Sequence, residues 1–403
     1  MRKNLFRLIA ILMAILITIP MSSIMILAEG TQADDLIEKI TETNGDVIPD
    51  ASPILSSKSA ILMEESTGAI LYSSQAHEAL PPASVTKIMT LLLIMEAIDS
   101  GMIKLDDTVT VSANAASMGG SQVYLKEGEQ MVLEDLLKSV VIASANDAAV
   151  ALAEYLCGSV ASFVEKMNQR AEQLGMTDTK FENVTGLDDT AQNHLTSAYD
   201  IALMSRELIR HETILKYSSI WMDTIRDGAF GLTNTNRLVR FYRGCTGLKT
   251  GSTSKAGFCV SVTAQRDGLS LICVIMGAET RDIRNAEATA LLDWGFSNYG
   301  LYSTPAEEME PVYVTGGKNT HCKTISEPFS CVLPKNELAS VERTVELSEK
   351  MAAPIETGDA VGKITYKLGD RMIGECRIIA LESVPKINFF DIWKRMTAML
   401  LLI

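Results

Sequence analysis

Gly257-Phe-Cys-Val-Ser-Val-Thr-Ala-Gln265 and Leu269-Ser-Leu-Ile-Cys-Val-Ile-Met276 are two Val- and Ile-rich runs separated only by Arg266-Asp267-Gly268, which reads as a β-hairpin. A second hairpin lies far upstream, where Ala60-Ile-Leu-Met63 and Ala69-Ile-Leu-Tyr72 flank Glu64-Glu-Ser-Thr-Gly68. Between the two, apolar residues recur at helical spacing over Val85 to Ile98, Leu133 to Val140, Asp147 to Leu156 and Val160 to Leu174. Helical spacing returns over Arg281 to Trp294. Strands at both ends of a unit whose middle is helical predict an α+β domain over residues 54–303: one antiparallel sheet covered by helices, with a helical subdomain.

Outward from this unit the pattern changes. After Ser303-Thr304-Pro305 come short strands such as Val312-Tyr-Val314 and Ile364-Thr-Tyr-Lys367, broken by Gly- and Pro-containing turns, so residues 304–384 read as a small all-β sandwich domain. Residues 385–403 read as an amphipathic helix. At 100° per residue Phe389, Ile392, Trp393, Met396, Leu400 and Ile403 share one face, opposite Asn388, Asp391, Lys394 and Arg395. In an exported chain, a helix of this kind suits a membrane interface and is too short to span one; docking on a core is the other reading. Residues 29–53 are a polar linker, and residues 1–28 have the layout of a signal peptide: Arg2, Lys3 and Arg7 precede the apolar run Leu8 to Leu27. That run is also long enough to stay as an uncleaved anchor, and either reading puts the body outside the cell membrane.

Composition excludes several function classes. With 47% hydrophobic and 21% charged residues the chain is globular, and its net charge of −14 argues against a nucleic-acid partner. There is no Gly-x-Gly-x-x-Gly, no phosphate loop and no His-Glu-x-x-His, and the four histidines are scattered, so neither a cofactor nor a metal is expected. The seven cysteines form no Cys-x-x-Cys pair and read mostly as small buried hydrophobes, although Cys322 and Cys331 are spaced to pair across a hairpin.

Three short motifs carry chemistry. In Pro81-Pro-Ala-Ser-Val-Thr-Lys87 the prolines stiffen the approach to a helix that Ser84 begins, and Lys87 follows one turn later on the same face. A serine hydroxyl needs a neighbour to take its proton, and a lysine amine desolvated by Ile88-Met-Thr-Leu-Leu-Leu-Ile-Met95 can do so. Ser-x-x-Lys also occurs at Ser252 and Ser383, so this match alone is weak. Ser-x-Asn occurs at Ser112 and at Ser144. Ser112 follows Val109-Thr-Val111 like an ordinary surface turn, whereas Ser144-Ala-Asn146 breaks two apolar helical stretches. Lys249-Thr-Gly251 occurs once and directly precedes the hairpin, where Gly251 would leave room for an extended substrate.

Ser-x-x-Lys, Ser-x-Asn and Lys-Thr-Gly in this order are the signature of penicillin-binding proteins and class A β-lactamases. The chain resembles the low-molecular-mass penicillin-binding proteins, serine-type D-alanyl-D-alanine carboxypeptidases, over about residues 54–384. Gly120-Ser121, Gly128-Glu129, Asn146-Asp-Ala-Ala-Val-Ala-Leu-Ala153, Gly186-Leu-Asp188, His194-Leu-Thr-Ser-Ala-Tyr-Asp200 and Gly247-Leu-Lys-Thr-Gly251 extend the match. The resemblance implies a β-lactamase/transpeptidase-like fold. It also implies that Ser84 attacks the bond between the terminal D-alanines of a peptidoglycan stem peptide, with Lys87 as base and Ser144 relaying a proton to the leaving amine. Asn146 would hold the substrate backbone, and Lys249, Thr250 and Ser252 would receive its carboxylate, with Gly251 beside them. The backbone N–H groups of Ser84 and Ser252 would form the oxyanion hole, and β-lactam antibiotics would act as inhibitors.

Taken singly, Thr250 and Ser252 read equally well as plain strand residues; His194 reads as structural, and Asp200 as capping or bracing a helix. Two departures from the family pattern touch no reacting group: Cys245-Thr246 where many relatives carry an acid before Gly247, and Ala145 where Gly is frequent. The competing readings are a β-lactamase, for which no Glu-x-x-Leu-Asn follows Ser144, and a catalytically silent wall-binding protein, against which the three intact motifs stand.

Overall fold

The computed structural model describes residues 52–187 and 191–401. The expected signal peptide and nearly all of the linker therefore lie outside the described residues, as do Asp188 and Ile403. The described residues form one compact unit.

The two predicted hairpins meet in one sheet. Strands β1 (Ser59–Glu64), β2 (Ile70–Ser74), β3 (Cys245–Thr253), β4 (Gly257–Arg266) and β5 (Leu269–Ala278) lie in the order β2-β1-β5-β4-β3, and every pairing is antiparallel. Period-2 alternation divides their side chains between two cores. Ile61, Met63, Ile272, Val274 and Met276 face the large helical core, while Ala60, Leu62, Leu271, Cys273 and Ile275 pack under Leu291, Leu292 and Phe296. Burial on both faces explains why these strands read as unbroken apolar runs.

The longer helices of this part are α1 (Lys87–Asp99), α2 (Leu133–Ala143), α3 (Asn146–Cys157), α4 (Val160–Gln173), α5 (Ala198–Ile209) and α6 (Arg281–Asn298). Helix α1 is apolar all round because it is the central helix, with Ile88 to Met95 buried throughout. Its start departs from expectation: residues Ala83–Thr86 form a 3-10 turn, and the α-helix begins only at Lys87. Asp200, at the start of α5, braces the neighbouring loop by accepting from the Asp178 N–H and the Thr179 hydroxyl.

The C-terminal part contains β6 (Tyr299–Thr304), β7 (Glu308–Thr315), β8 (His321–Ser326), β9 (Phe329–Pro334), β10 (Val341–Leu347), β11 (Lys350–Ala352), β12 (Ala360–Leu368) and β13 (Arg371–Ala380). A six-stranded sheet of order β10-β12-β13-β8-β7-β11 accompanies the pair β6-β9 around a core of Val312, Val314, Val361, Ile364, Tyr366 and Ile378. The junction read at 303/304 falls inside β6, which pairs with β9. This pairing also overturns the Cys322–Cys331 bridge: β8 and β9 belong to different sheets, Cys331 lies opposite Tyr302, and both thiols are free.

Helix α7 (Phe389–Leu401) closes the described chain. Phe389, Phe390, Ile392, Trp393, Met396 and Met399 are all exposed on it, so it docks on no core. Among the described residues no single helix is long and apolar enough to cross a membrane.

Candidate active site

Ser84 sits on the 3-10 turn at the head of α1, and three close approaches hold that turn. Gly251 of β3 backs onto it, since a Cβ there would lie 2.7 Å from the Ser84 nitrogen and 2.9 Å from the Val85 nitrogen. The space left by the missing side chain is therefore filled by the nucleophile's own turn, which corrects the expectation that it is left open for substrate. Gly186, at φ +79°, approaches from the other side, where a Cβ would meet the Ala83 carbonyl oxygen at 1.8 Å. Ala83 itself adopts φ +49°, a conformation that side chains disfavour by about 1 kcal/mol or more.

The third support is His194. The Thr86 hydroxyl donates to the Ala83 carbonyl and lies 2.7 Å from His194 Nε2, while the Glu182 N–H donates to His194 Nδ1 at 2.9 Å. The ring thus carries its proton on Nε2 and props the turn through Thr86. Burial pushes its pKa down to about 4, against a smaller opposing effect of Glu182.

Lys87 is completely buried, with Nζ 3.0 Å from Ser84 Oγ and donating to the Thr185 carbonyl at 2.8 Å. Burial, reinforced by the charge of Lys249, holds its amine well below the ordinary lysine range, although Asp147 opposes this. The site therefore contains a half-buried serine hydroxyl beside an amine that burial shifts toward its neutral form.

The Ser-x-Asn motif is placed by a helix break. Ser144 caps α2 in the left-handed region at φ +62°, and α3 starts at Asn146. Asp147 accepts from the N–H groups of Val123 and Leu125, and Asn146 donates through Nδ2 to the Gly119 carbonyl, which locks the segment before Val123 against α3. Oδ1 of Asn146 is buried and has no hydrogen-bond partner among the described residues. An acceptor left in that condition costs about 1–3 kcal/mol unless a donor reaches it. By contrast, Ser112 N-caps a short helix and bonds to Glu154, as its surface-turn reading implies.

Lys249 is as buried as Lys87, and its Nζ donates to Ser144 Oγ at 2.8 Å and to the Thr250 carbonyl at 3.0 Å. Burial, then the charge of Arg284, lowers its pKa to about 7. It acts on Ser144 from behind rather than lining the open cavity. The cations on the wall are Arg237, Arg281 and Arg284, which sequence reasoning missed. Nothing in their local pattern distinguishes them from surface arginines: chain reversal after β5 turns the start of α6, with Arg281 and Arg284, toward the cavity, and Arg237 reaches it from the segment before β3. Arg284 is only 2% exposed, and burial, then Arg281, lowers its pKa to about 10.

The cavity, of about 580 Å³, brings together Ser84, Ser144, Thr250, Gly251 and Ser252. Of the residues singled out from sequence, Lys87, Asn146 and Lys249 stand directly behind them. Cys245 is set back at the start of β3, its thiol donating to the Gly247 carbonyl, and burial pushes its pKa up to about 11. This arrangement can activate a hydroxyl, protonate a leaving group and hold an anion.

Comparison with known proteins gives a concordant result. Residues 47–280 match the family described as D-alanyl-D-alanine carboxypeptidase, and residues 304–386 match the C-terminal domain of penicillin-binding protein 5. The chain is 42% identical over 346 residues to the D-alanyl-D-alanine carboxypeptidase DacF of Bacillus subtilis, covering 84% of this chain and 88% of that one. Among solved structures, penicillin-binding protein 5 from Haemophilus influenzae aligns with a TM-score of 0.74 at 31% identity, covering 83% of this chain and 99% of its own. Penicillin-binding protein D2 from Listeria monocytogenes, in its ampicillin-bound form, aligns with a TM-score of 0.57 at 32% identity, covering 61% of this chain and all of its own.

Proposed function

The chain belongs to the D-alanyl-D-alanine carboxypeptidase family and is a serine-type hydrolase of that specificity, and on this premise we propose which groups carry the reaction. Ser84 is the nucleophile. The observation that carries this reading is the 3.0 Å approach of Ser84 Oγ to a fully buried lysine amine at the wall of the cavity. Lys87, neutral through burial, takes the Ser84 proton as Oγ attacks the penultimate carbonyl. The N–H groups of Ser84 and Ser252 receive the developing oxyanion. Ser144, polarised by Lys249 behind it, passes a proton to the amine of the departing D-alanine.

The unpartnered Oδ1 of Asn146 accepts from a substrate backbone N–H. Thr250, Ser252 and the cationic wall at Arg284 receive the terminal carboxylate, with Lys249 contributing charge at short range. Water then hydrolyses the ester. A β-lactam enters the same route and stays as a long-lived adduct. The substrate is a peptidoglycan stem peptide ending in D-Ala-D-Ala, whose trimming limits cross-linking of the cell wall.

We assign the α+β part to this chemistry and the C-terminal part, from β6 onward, to a supporting β domain. The residue 1–28 leader exports the chain, and α7 holds it at the outer face of the cytoplasmic membrane. The exposed Phe389, Ile392, Trp393 and Met396 support the last point. Intact mass after mixing with a penicillin, for wild type and Ser84→Ala, tests the central assignment. An adduct on the wild type alone is expected, together with loss of D-alanine release in the variant; release at the normal rate from Ser84→Ala would refute it. Deleting residues 388–403 is expected to free the protein from membrane vesicles while hydrolysis of soluble peptide persists, and continued retention would remove α7 from the account.

A further inference from the structure

The cavity continues past Ser144 and Thr250. Thr250 Oγ1 donates to Thr235 Oγ1 at 2.9 Å, and the Thr235 N–H donates to the Ile142 carbonyl just before Ser144, so the segment 233–237 walls the side of the cavity next to Ser144 and Thr250. That segment is fixed. Asn236 Nδ2 donates to the Gly247 carbonyl, and Asn234 donates through its backbone to Trp221 and through Nδ2 to Ile220. Beyond it the cavity is lined by Trp221, Phe241 and Arg237. The two rings meet edge to face, and Arg240 lies over both, 5.6 Å from Trp221 and 5.5 Å from Phe241.

Two features of this end exceed the needs of an alanine. Three arginines and no acid line the cavity, in a chain of net charge −14, and among the described residues no carboxylate pairs with Arg237. The indole Nε1 of Trp221 is buried with no hydrogen-bond partner among the described residues, the condition of a donor that a ligand would satisfy. One carboxylate, at Thr250 and Arg284, leaves Arg237 and the indole N–H unused.

We propose that this pocket accepts a leaving D-residue with a side chain longer than methyl that ends in a carboxylate, and that the enzyme hydrolyses D-Ala–D-X bonds of this kind as well as D-Ala–D-Ala. The inference rests on the roles given above to Ser84 and Ser144. The α-carboxylate of X faces Thr250 and Arg284, its methylenes lie along Trp221 and Phe241, and its side-chain carboxylate meets Arg237 and the indole N–H. The chemistry is unchanged: the bond from Ser84 Oγ to the acyl carbon forms, the C–N bond breaks, and the amine of X leaves with the proton relayed through Lys87 and Ser144. Water then cleaves the ester and returns a proton to Ser84.

The test uses the full chain and three blocked peptides ending in D-Ala-D-Ala, D-Ala-D-Glu and D-Ala-D-Gln, with amino-acid release followed over time. D-Glu is expected to leave with a kcat/KM at least tenfold above that of its neutral isostere D-Gln. Arg237→Gln is expected to bring that ratio near one, and Trp221→Phe to lower it by a smaller factor. Cleavage of the D-Ala peptide with no preference for D-Glu over D-Gln overturns the proposal and leaves the Ser84 reading standing. Failure on the D-Ala peptide as well overturns both. An equal loss on all three substrates in Arg237→Gln would make that side chain structural and remove it from specificity.

Discussion

The two halves of the compact unit treat charge in opposite ways. The α+β part buries Lys87, Lys249, Arg284 and Asp147, and it holds Ala83 and Ser144 in left-handed backbone conformations. The β part has no charged side chain among its buried residues. Its charges pair at the surface, as in Arg343–Glu307, Arg371–Glu337 and Lys363–Glu375. Two buried lysines, with the charge of Lys249 lowering the pKa of Lys87, serve stability poorly, since burying a charge costs several kcal/mol unless the group neutralises. On the proposed mechanism, their presence marks where folding free energy has been given up for reactivity, and the β part shows the same chain keeping its charges at the surface.

This contrast can be broken first at Lys87. Replacing it by Met, which fills the space without a basic nitrogen, is expected to reduce acylation by penicillin and peptide turnover by about 10²–10⁴-fold while the fold persists. Stopped-flow acylation rates and circular dichroism check this, and a loss under tenfold would remove Lys87 as the base. Next in size is Gly186→Ala. The added Cβ has no room against the Ala83 carbonyl and φ +79° is strained, so a destabilisation of about 3 kcal/mol with loss of acylation is expected in urea unfolding and adduct assays.

The pH dependence sharpens the comparison further. The neutral ring of His194 has a folded pKa of about 4, below its unfolded value of 6.5. Between those values the unfolded chain binds a proton that the folded chain refuses, so stability falls as pH drops from 6.5 to 4 and levels off below that. The full effect is roughly 3 kcal/mol, and His194→Gln should flatten the unfolding profile by one proton across this window. In the activity profile, the acid limb is expected to report deprotonation of Lys87. Because the charge of Lys249 helps to lower that pKa, Lys249→Met should move the limb to higher pH; an unmoved limb would deny the coupling. The smallest effect belongs to the β part, where Arg343→Met should change unfolding free energy by less than about 1 kcal/mol and leave acylation untouched.

Much of this was legible in order along the chain. The hairpins at Ala60 and Gly257 announced an antiparallel sheet, because short Val- and Ile-rich runs bounded by turn residues admit few alternatives. Ser84 and Lys87 were legible as a pair because three residues make one turn, whether 3-10 or α. The bond from Lys249 to Ser144 was not, since 105 residues separate them and only the sheet order β5-β4-β3 carries β3 to the edge beside α1. Gly251 was singled out for the wrong reason: a glycine in sequence announces close approach without naming what approaches.

Residue types, their local spacing and the order of the three motifs were determined by the sequence itself, because neighbours within a turn or a hairpin interact whatever the rest of the chain does. Tertiary structure alone decided which cations are desolvated, which arginines face the cavity and which donors are left unpartnered. Desolvation and long-range electrostatics depend on every atom packed around a group, and those atoms come from elements far apart in the chain, as Ser144 and Lys249 are at 105 residues.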